Sequence, residues 1–477
     1  MALIWLGETP ELPADQVGGK ARGINHMLSL GLPVPPAFVL TTDVCRDFVA
    51  AGGVISDDLQ TEIRDAVRRL GAVTGRVFGG DSERPLLVSV RSGAAQSMPG
   101  MMDTLLNLGI NTGVQARLAE QSGDPGWAAN TLQRFRQQFI SVVGIEPPED
   151  PWEQLFCAIG AVFRSWDSAR AQAYRDHHGI SHVGGTAVTV QSMVFGNLDD
   201  QSGTGVLFSR NPLTGDREPY GEWLPRGQGE DVVSGHADPL KLDALAERFP
   251  HLYQQLLAAA ETLETLGKDV QDIEFTVESG ILWFLQTRAA KRSPDAAVAF
   301  AVALHREGLI TKEQALQRVT TEHRAALTKP RVLPAARASA TILARGLPAC
   351  PGVASGRVVT DIDDAIELSD DGIDVVLARP HTDPGDIGGM IASAAILTAV
   401  GGSTSHAAVV SRELGTPCIV GCGANITALE GLEVTVDATN GDVLDGVLPL
   451  APTTQSDNPS LAVLLSWEQE LSTTTGQ

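Results

Sequence analysis

"GGSTSHAAVVSRELG", residues 401–415, decides the reading of the C-terminal half of the chain. Two glycines and three hydroxyl side chains, Ser403, Thr404 and Ser405, lead into a run with helical pattern. Serine and threonine are N-cap residues, and Gly415-Thr416-Pro417 stops the run. A helix that begins here carries His406 in its first turn. The positive helix end disfavours imidazolium and favours a neutral, nucleophilic nitrogen, and an ordinary imidazole pKa of about 6.5 already lies near working pH. Once a phosphoryl group is attached, the same helix end stabilises its charge. A lone histidine is more often a satisfied structural side chain. Here Gly401 and Gly402 permit close approach of a second molecule, and basic side chains are sparse nearby. Both features suit a covalent carrier better than a fixed phosphate clamp.

The rest of the composition bounds what such a carrier belongs to. A chain of 477 residues is expected to form two to four domains. No stretch approaches eighteen apolar residues, so no transmembrane helix is expected. The start, "MALIWLGETPELPAD", lacks a basic n-region and is not read as a secretory signal. Five scattered cysteines (45, 157, 350, 418 and 422) fit a reducing cytoplasm. No second Cys or His pair accompanies Cys418 and Cys422, so zinc is not expected. A formal charge of −23 argues against general binding of nucleic acid or membrane surfaces, but a local Arg/Lys cluster suffices for a nucleotide.

Along the chain, the first hundred residues alternate strand and helix signals, as in "VGGKARGINHMLSLGLPVPPAFVLTT" and the buried strand "RPLLVSVRSGA". Residues 115–178 read as mostly helical, and β-rich stretches follow from 186. Residues 293–328 are helical again, and "LTKPRVLPAARASAT", 327–341, has the composition of a linker. A second α/β unit runs from about 342 to 448, and the tail beyond it reads as loose, with a short amphipathic piece at "LAVLLSWEQEL".

Three further stretches carry chemistry. In "VRSGAAQSMPGMMDT", 90–104, Arg91 ends a strand and Pro99-Gly100 breaks any helix. Backbone amides and an arginine beside such a loop suit a polyphosphate, although a buried methionine-lined loop explains the pattern equally well. In "QSGTGVLFSRNPLTG", 201–215, Gly203-Thr204-Gly205 is either a hairpin turn or a phosphate-approach loop. In "DIEFTVESGILWFLQTR", 272–288, strand alternation puts Asp272, Glu274 and Thr276 on one face, with Gln286 and Arg288 sharing a face of the next strand. Carboxylate and amide oxygens on neighbouring strands are hard ligands suited to Mg²⁺, and Arg288 beside them would hold a phosphate. The apolar Ile273, Phe275, Trp283 and Leu285 suggest a sheet packed on one side rather than a solvated hairpin.

With these motifs in view, residues 15–448 resemble the first two domains of the pyruvate, phosphate dikinase family. The resemblance rests on "VRSGAAQSMPGMMDTLLNLGIN", "VQSMVFGNLDDQSGTGVLFSRNPLTGDREPYGEWL", "GQGEDVVSG", "DVQDIEFTVESGILWFLQTRAAKR" and "ILTAVGGSTSHAAVVSRELGTPC". Phosphoenolpyruvate synthases and rifampicin phosphotransferases share the architecture but usually differ at "SMPGMMDT" and around the histidine. The resemblance implies a multidomain α/β and α+β chain. Residues 1–292 would form an ATP-grasp domain, with its helical part at about 115–180, and 293–341 a helical segment and linker. Residues 342–450 would form a swivelling β/β/α phosphohistidine domain, and 451–477 a tail.

The resemblance further implies that ATP gives its β,γ-pyrophosphoryl group to His406 with release of AMP. Inorganic phosphate then takes the terminal phosphoryl group as pyrophosphate. Lys20, Arg91, Arg134, Asp272, Glu274, Gln286 and Arg288 would line the nucleotide site, with Gly100, Met102 and Thr204 over the polyphosphate and Gln191 and Met193 by the adenine. Glu222, Glu230 and Asp231 would complete it, and Glu274 with Gln286 would hold Mg²⁺. Thr404 would be a regulatory position. The family's third domain, a barrel that binds phosphoenolpyruvate and pyruvate, finds no counterpart in this sequence. A separate acceptor-binding polypeptide is therefore expected as partner, and a homodimer is left open. Two other readings stand beside this one: the same carrier serving an alcohol, phenol or natural product, and a nucleotide-binding regulatory protein without turnover.

Overall fold

The computed structural model describes residues 2–9, 11–79, 84–96, 98, 101–233, 239–328, 330–452 and 458–474, with backbone alone at 177, 178, 230, 233 and 472–474. The chain divides into two compact units. One comprises 1–203 and 274–288, the other 204–273 and 289–477.

The first unit is built on a five-stranded antiparallel sheet in the order Leu3–Trp5, Ala37–Leu40, Ala187–Ser192, Val88–Gly93, Thr104–Leu108. Every residue of Ala187–Ser192 is buried, as its central place requires. The expected helical stretch forms four helices, Thr112–Ser122, Pro125–Val143, Pro151–Ser165 and Ala169–His178. Asn111, Asp124, Asp150 and Ser168 each accept a backbone N–H at the starts. Their apolar faces join one core around Phe135, Phe139, Leu155, Ile159 and Phe163.

The helix Ala14–Ser29 is kinked at Gly18, which has φ +77°. A Cβ there would collide with the backbone of Gly93, so "VGGK" is a close-approach motif. Gly19 N–H donates to Ala94 O at 2.8 Å, which sets Lys20 beside the end of the strand that carries Arg91.

The second unit has two parts. Tyr220–Pro225 lies between Leu240–Lys241 and Gly203–Phe208, the last of which adjoins the start of Gln271–Glu278. Gly203-Thr204-Gly205 lies inside a wholly buried strand, not in a turn. Beyond residue 341 an eight-stranded sheet runs Ile342–Arg345, Asp442–Asp445, Glu433–Asp437, Val353–Val359, Val375–Arg379, Ala395–Thr398, Cys418–Val420, Leu347–Cys350. Its middle, from Val353–Val359 to Cys418–Val420, is parallel, and helices cross between the strands.

Two expectations change here. The tail is not loose: Pro459–Thr474 is a helix whose Leu461, Leu464 and Trp467 are buried in a core with Val298, Phe300 and Leu304. The "LAVLLSWEQEL" stretch offers an apolar face that the helix Pro294–Arg306 covers, and ion pairs Lys312–Glu470 and Arg324–Glu468 flank it. The linker is also ordered in part. Pro334–Ser339 is helical, and Arg331–Val332 pairs antiparallel with Leu450–Ala451. The chain thus enters and leaves the 342–450 segment side by side.

Candidate functional site

Three side chains converge in the first unit. Arg91, on Val88–Gly93, donates from one guanidinium nitrogen (Nη2) to Glu274 Oε2 at 3.2 Å and to Gln286 Oε1 at 3.1 Å. Glu274 and Gln286 lie on the adjoining strands Gln271–Glu278 and Ile281–Ala289. Two hard oxygens that share one nitrogen lie close enough together to serve one cation. Among the described residues no group of three or more His, Cys, Asp or Glu side chains could hold a metal. Such a pair suits Mg²⁺, which keeps waters and takes phosphate oxygens besides. The expectation of a sheet packed on one side is corrected. Ile273 and Phe275 are buried, but so are Asp272, Thr276 and Gln286.

The other expected nucleotide residues scatter over both units. Lys20 and Met102 are half-buried, and Arg134 is half-buried on Pro125–Val143. Gln191 is tied down, its Nε2 donating to Pro35 O at 3.0 Å, and Met193 N–H donates to Leu87 O at 2.9 Å. Arg288 is half-buried on its strand. In the second unit Thr204 and Asp272 are buried, and Asp231 Oδ2 accepts from Gln228 N–H at 2.8 Å. Gly100 and the side chain of Glu230 lie outside what is described.

His406 is the first residue of the helix His406–Leu414, and Ser405 is its N-cap residue. The position follows from the sheet. The helix comes after Ala395–Thr398, and Thr382 comes after the neighbouring parallel strand Val375–Arg379. Both therefore emerge at the carboxyl ends of adjacent parallel strands, where open α/β sheets form their clefts. Thr382 Oγ1 lies 3.1 Å from His406 Nδ1. Among the described residues, Nε2 of the same ring is buried without a partner, as is Ser405 Oγ. Burial pushes the imidazole pKa down to about 4, against the opposing pull of Asp386 and Asp383. The ring is neutral at neutral pH, with one nitrogen engaged and one unengaged.

The preceding loop is held from two sides. Ser403 O accepts from Arg412 Nη1 at 2.9 Å, a guanidinium buried among Ala349, Ser403 and Phe208. Glu222, on Tyr220–Pro225, accepts from Ser403 N–H and Oγ, each at 2.7 Å, from Thr404 N–H at 3.2 Å, and from Thr404 Oγ1. Thr404 is 2% exposed. It is neither the helix cap nor an accessible hydroxyl in this arrangement. The close approach expected at Gly402 is made by the chain itself: a Cβ would lie 2.5 Å from Glu222 Oε1.

Sequence reasoning missed Thr382, Asp383, Asp386, Arg412 and Tyr220. "RPHTDPGD", 379–386, carried a signal, since polar residues directly after a buried strand are a cleft pattern. Cys418 and Cys422, both raised to about 12 by burial, are inert thiols.

Residues 14–64 and 52–248 match the family model described as "Pyruvate phosphate dikinase, AMP/ATP-binding domain". Residues 373–441 match "PEP-utilising enzyme, mobile domain". The chain is 40% identical over 508 residues to "Pyruvate, phosphate dikinase" of Rhizobium meliloti (strain 1021), covering 91% of this chain and 56% of that protein. It is 40% identical over 517 residues to "Pyruvate, phosphate dikinase 2" of Oryza sativa subsp. japonica, covering 96% and 58%. The dikinase of Clostridium symbiosum is 39% identical over 491 residues, covering 90% and 56%.

The chain belongs to the pyruvate, phosphate dikinase family.

It spans little more than half the length of the curated dikinases it matches. The two dikinase segments carry different parts of the candidate chemistry. The matched mobile-domain segment contains Thr382, Thr404 and His406. The matched nucleotide-binding segment contains Lys20, Arg91, Arg134, Gln191 and Glu222 and stops short of Glu274 and Gln286. No helix among the described residues is long and apolar enough to cross a membrane.

Proposed function

We propose that this chain is an ATP- and phosphate-dependent phosphotransferase that loads its own His406. One observation carries the reading: a neutral imidazole whose Nδ1 meets Thr382 while its buried Nε2 has no partner, at the start of a helix. Buried side-chain polar atoms are usually paired, so an unpaired nitrogen at a helix start supports a ring held ready for chemistry.

With Nδ1–H donating to Thr382 Oγ1, the Nε2 lone pair is the nucleophile. It attacks the β-phosphorus of ATP. The bridging bond to the α-phosphate breaks, and AMP leaves with the electron pair. An oxygen of inorganic phosphate then attacks the terminal phosphorus of the His-bound pyrophosphoryl group. Pyrophosphate leaves, and His406 retains one phosphoryl group. The helix N-terminus faces the added charge. Arg91 and Arg288 neutralise the polyphosphate, Lys20 assists, and Glu274 with Gln286 holds Mg²⁺. When bound, Mg²⁺ neutralises charge on the transferring oxygens. Gln191 and Met193 flank the base.

The names of the relatives support pyruvate as the final acceptor. We place its site on another polypeptide, and we take the 342–450 segment to carry His406 between the two reactions about its paired connections. The test is incubation of the chain with Mg²⁺, phosphate and ATP labelled in the β-phosphate. The expected result is an acid-labile adduct at His406, one equivalent of AMP, and no label in His406→Ala. Labelling that survives the substitution overturns the reading. Pyruvate alone should not discharge the adduct; steady phosphoenolpyruvate formation by this chain alone would overturn the separate acceptor site.

A further inference from the structure

We infer that Glu222 is a positioning residue that latches the 402–404 loop, and through it His406, for loading; the inference rests on the proposed phosphorylation of His406. The resemblance gives Glu222 to the nucleotide, but its bonding points elsewhere. Oε1 accepts from Ser403 N–H and Ser403 Oγ, and Oε2 accepts from Thr404 N–H and Thr404 Oγ1. A carboxylate offers about four acceptor positions, so the loop fills them. The residue is 7% exposed and closed off from solvent competition. A carboxylate so occupied can take a metal ion or a ribose hydroxyl only by releasing the loop.

The loop is shaped for this occupant. Gly402 leaves room that any Cβ would fill, with both carboxylate oxygens within 2.6 Å of where it would stand. Tyr220, two residues before Glu222 on the same strand, hydrogen-bonds the Ser403 side chain. Arg412 holds Ser403 O from the opposite side. Two consecutive residues are thereby fixed through both backbone and side chain, and the next two residues are Ser405 and His406. Displacement of the loop would move the helix start that carries the unpartnered Nε2. Charge-assisted hydrogen bonds are shorter and stronger than neutral ones, so the latch is worth keeping during transfer, and its release frees the segment.

The test uses the full chain and two independent readouts. The first is hydrogen exchange of the Ser403 and Thr404 amides, which needs no activity. In Glu222→Gln, whose amide turns a donor toward donors, exchange of both should rise at least about tenfold. Unchanged exchange overturns the latch whatever the enzyme does. The second is the single-turnover rate of His406 labelling at saturating ATP. Glu222→Gln and Thr404→Val should each lower it, Glu222→Gln by about tenfold or more, and the double variant should be no slower than Glu222→Gln, because both break one contact. Multiplying effects overturn the latch. So does a loss confined to the ATP concentration needed for half-saturation, which would return Glu222 to the nucleotide. A wild-type chain that never labels sinks the functional reading, and the exchange result then still decides the latch.

Discussion

The hydroxyl of Thr382 meets Nδ1 of His406 at 3.1 Å, on the ring edge opposite the unpartnered Nε2. Two loops separated by a helix and a strand make one functional pair because their parent strands are parallel neighbours. In the proposed reading Thr382 accepts from Nδ1–H, which fixes the ring and leaves the lone pair on Nε2. Thr382→Val removes the acceptor and leaves a similar volume. At about 1 kcal/mol for a net hydrogen bond, single-turnover labelling should slow about fivefold. The adduct, read by nitrogen-phosphorus coupling in NMR, should become a mixture of ring positions. A pure Nε2 adduct formed at the wild-type rate would show that packing alone orients the ring.

Burial holds the His406 pKa at about 4, with Asp386 and Asp383 opposing the shift. The imidazole therefore stays unprotonated well below neutrality, and labelling should show no loss from this group between pH 7.5 and about 5. Stability carries the opposite signature. The unfolded histidine takes up its proton near 6.5 while the native one does not until near 4. The unfolded state thus binds more protons in that window, and the contribution is full above 6.5 and lost as pH falls toward 4. Urea titrations at pH 7, 5.5 and 4.5 should show a steeper loss for the wild type than for His406→Gln.

Thr404→Glu should block loading through its nearest neighbour, Glu222. A second carboxylate would be forced against Glu222, which already fills the space beside Thr404. Like charges at such range in a buried setting repel by several kcal/mol, so labelling should fall at least about a hundredfold while Thr404→Val costs far less. A Thr404→Glu chain that labels normally would mean that the loop leaves Glu222 before transfer.

Arg91→Ala should abolish labelling, and it should also cost stability, because Glu274 loses its cation at a place where the two side chains are 14% and 25% exposed. A half-buried carboxylate left unpaired is expected to cost about 1–3 kcal/mol. Urea unfolding against Arg91→Lys, which keeps the charge but loses the fork, separates the loss of charge from the loss of geometry.

Leu464→Ala should cost about 2–5 kcal/mol, as deletion of a fully buried leucine does. Trp467, whose ring lies 4.6 Å from that of His305 in an edge-on contact, should behave similarly. A chain truncated after 458 should consequently unfold at lower urea, which a loose tail would not cause.

Much of this molecule was legible one segment at a time. The helix start at His406 follows from serine and threonine followed by an apolar period that ends at a glycine and a proline. The helices between residues 112 and 178 and the facing oxygens of Glu274 and Gln286 follow likewise from local pattern. These are short-range properties, set by capping, periodicity and strand alternation, and a sequence records them directly.

What no window of sequence contains is which distant segments meet. The partner of Nδ1 comes from a loop 24 residues upstream, through strand adjacency. The carboxylate held by Ser403 and Thr404 comes from a strand 181 residues away. The tail becomes a packed helix only because Pro294–Arg306 offers it an apolar face. Gly203-Thr204-Gly205 reads as a hairpin turn or a phosphate-approach loop, since glycine is costly inside a strand, yet neighbours on both edges make it part of a strand. Local chemistry thus named the proposed nucleophile. The hydroxyl that meets its ring, the side chain that holds its loop and the burial that keeps it neutral are long-range consequences of topology, and only the folded chain decided them.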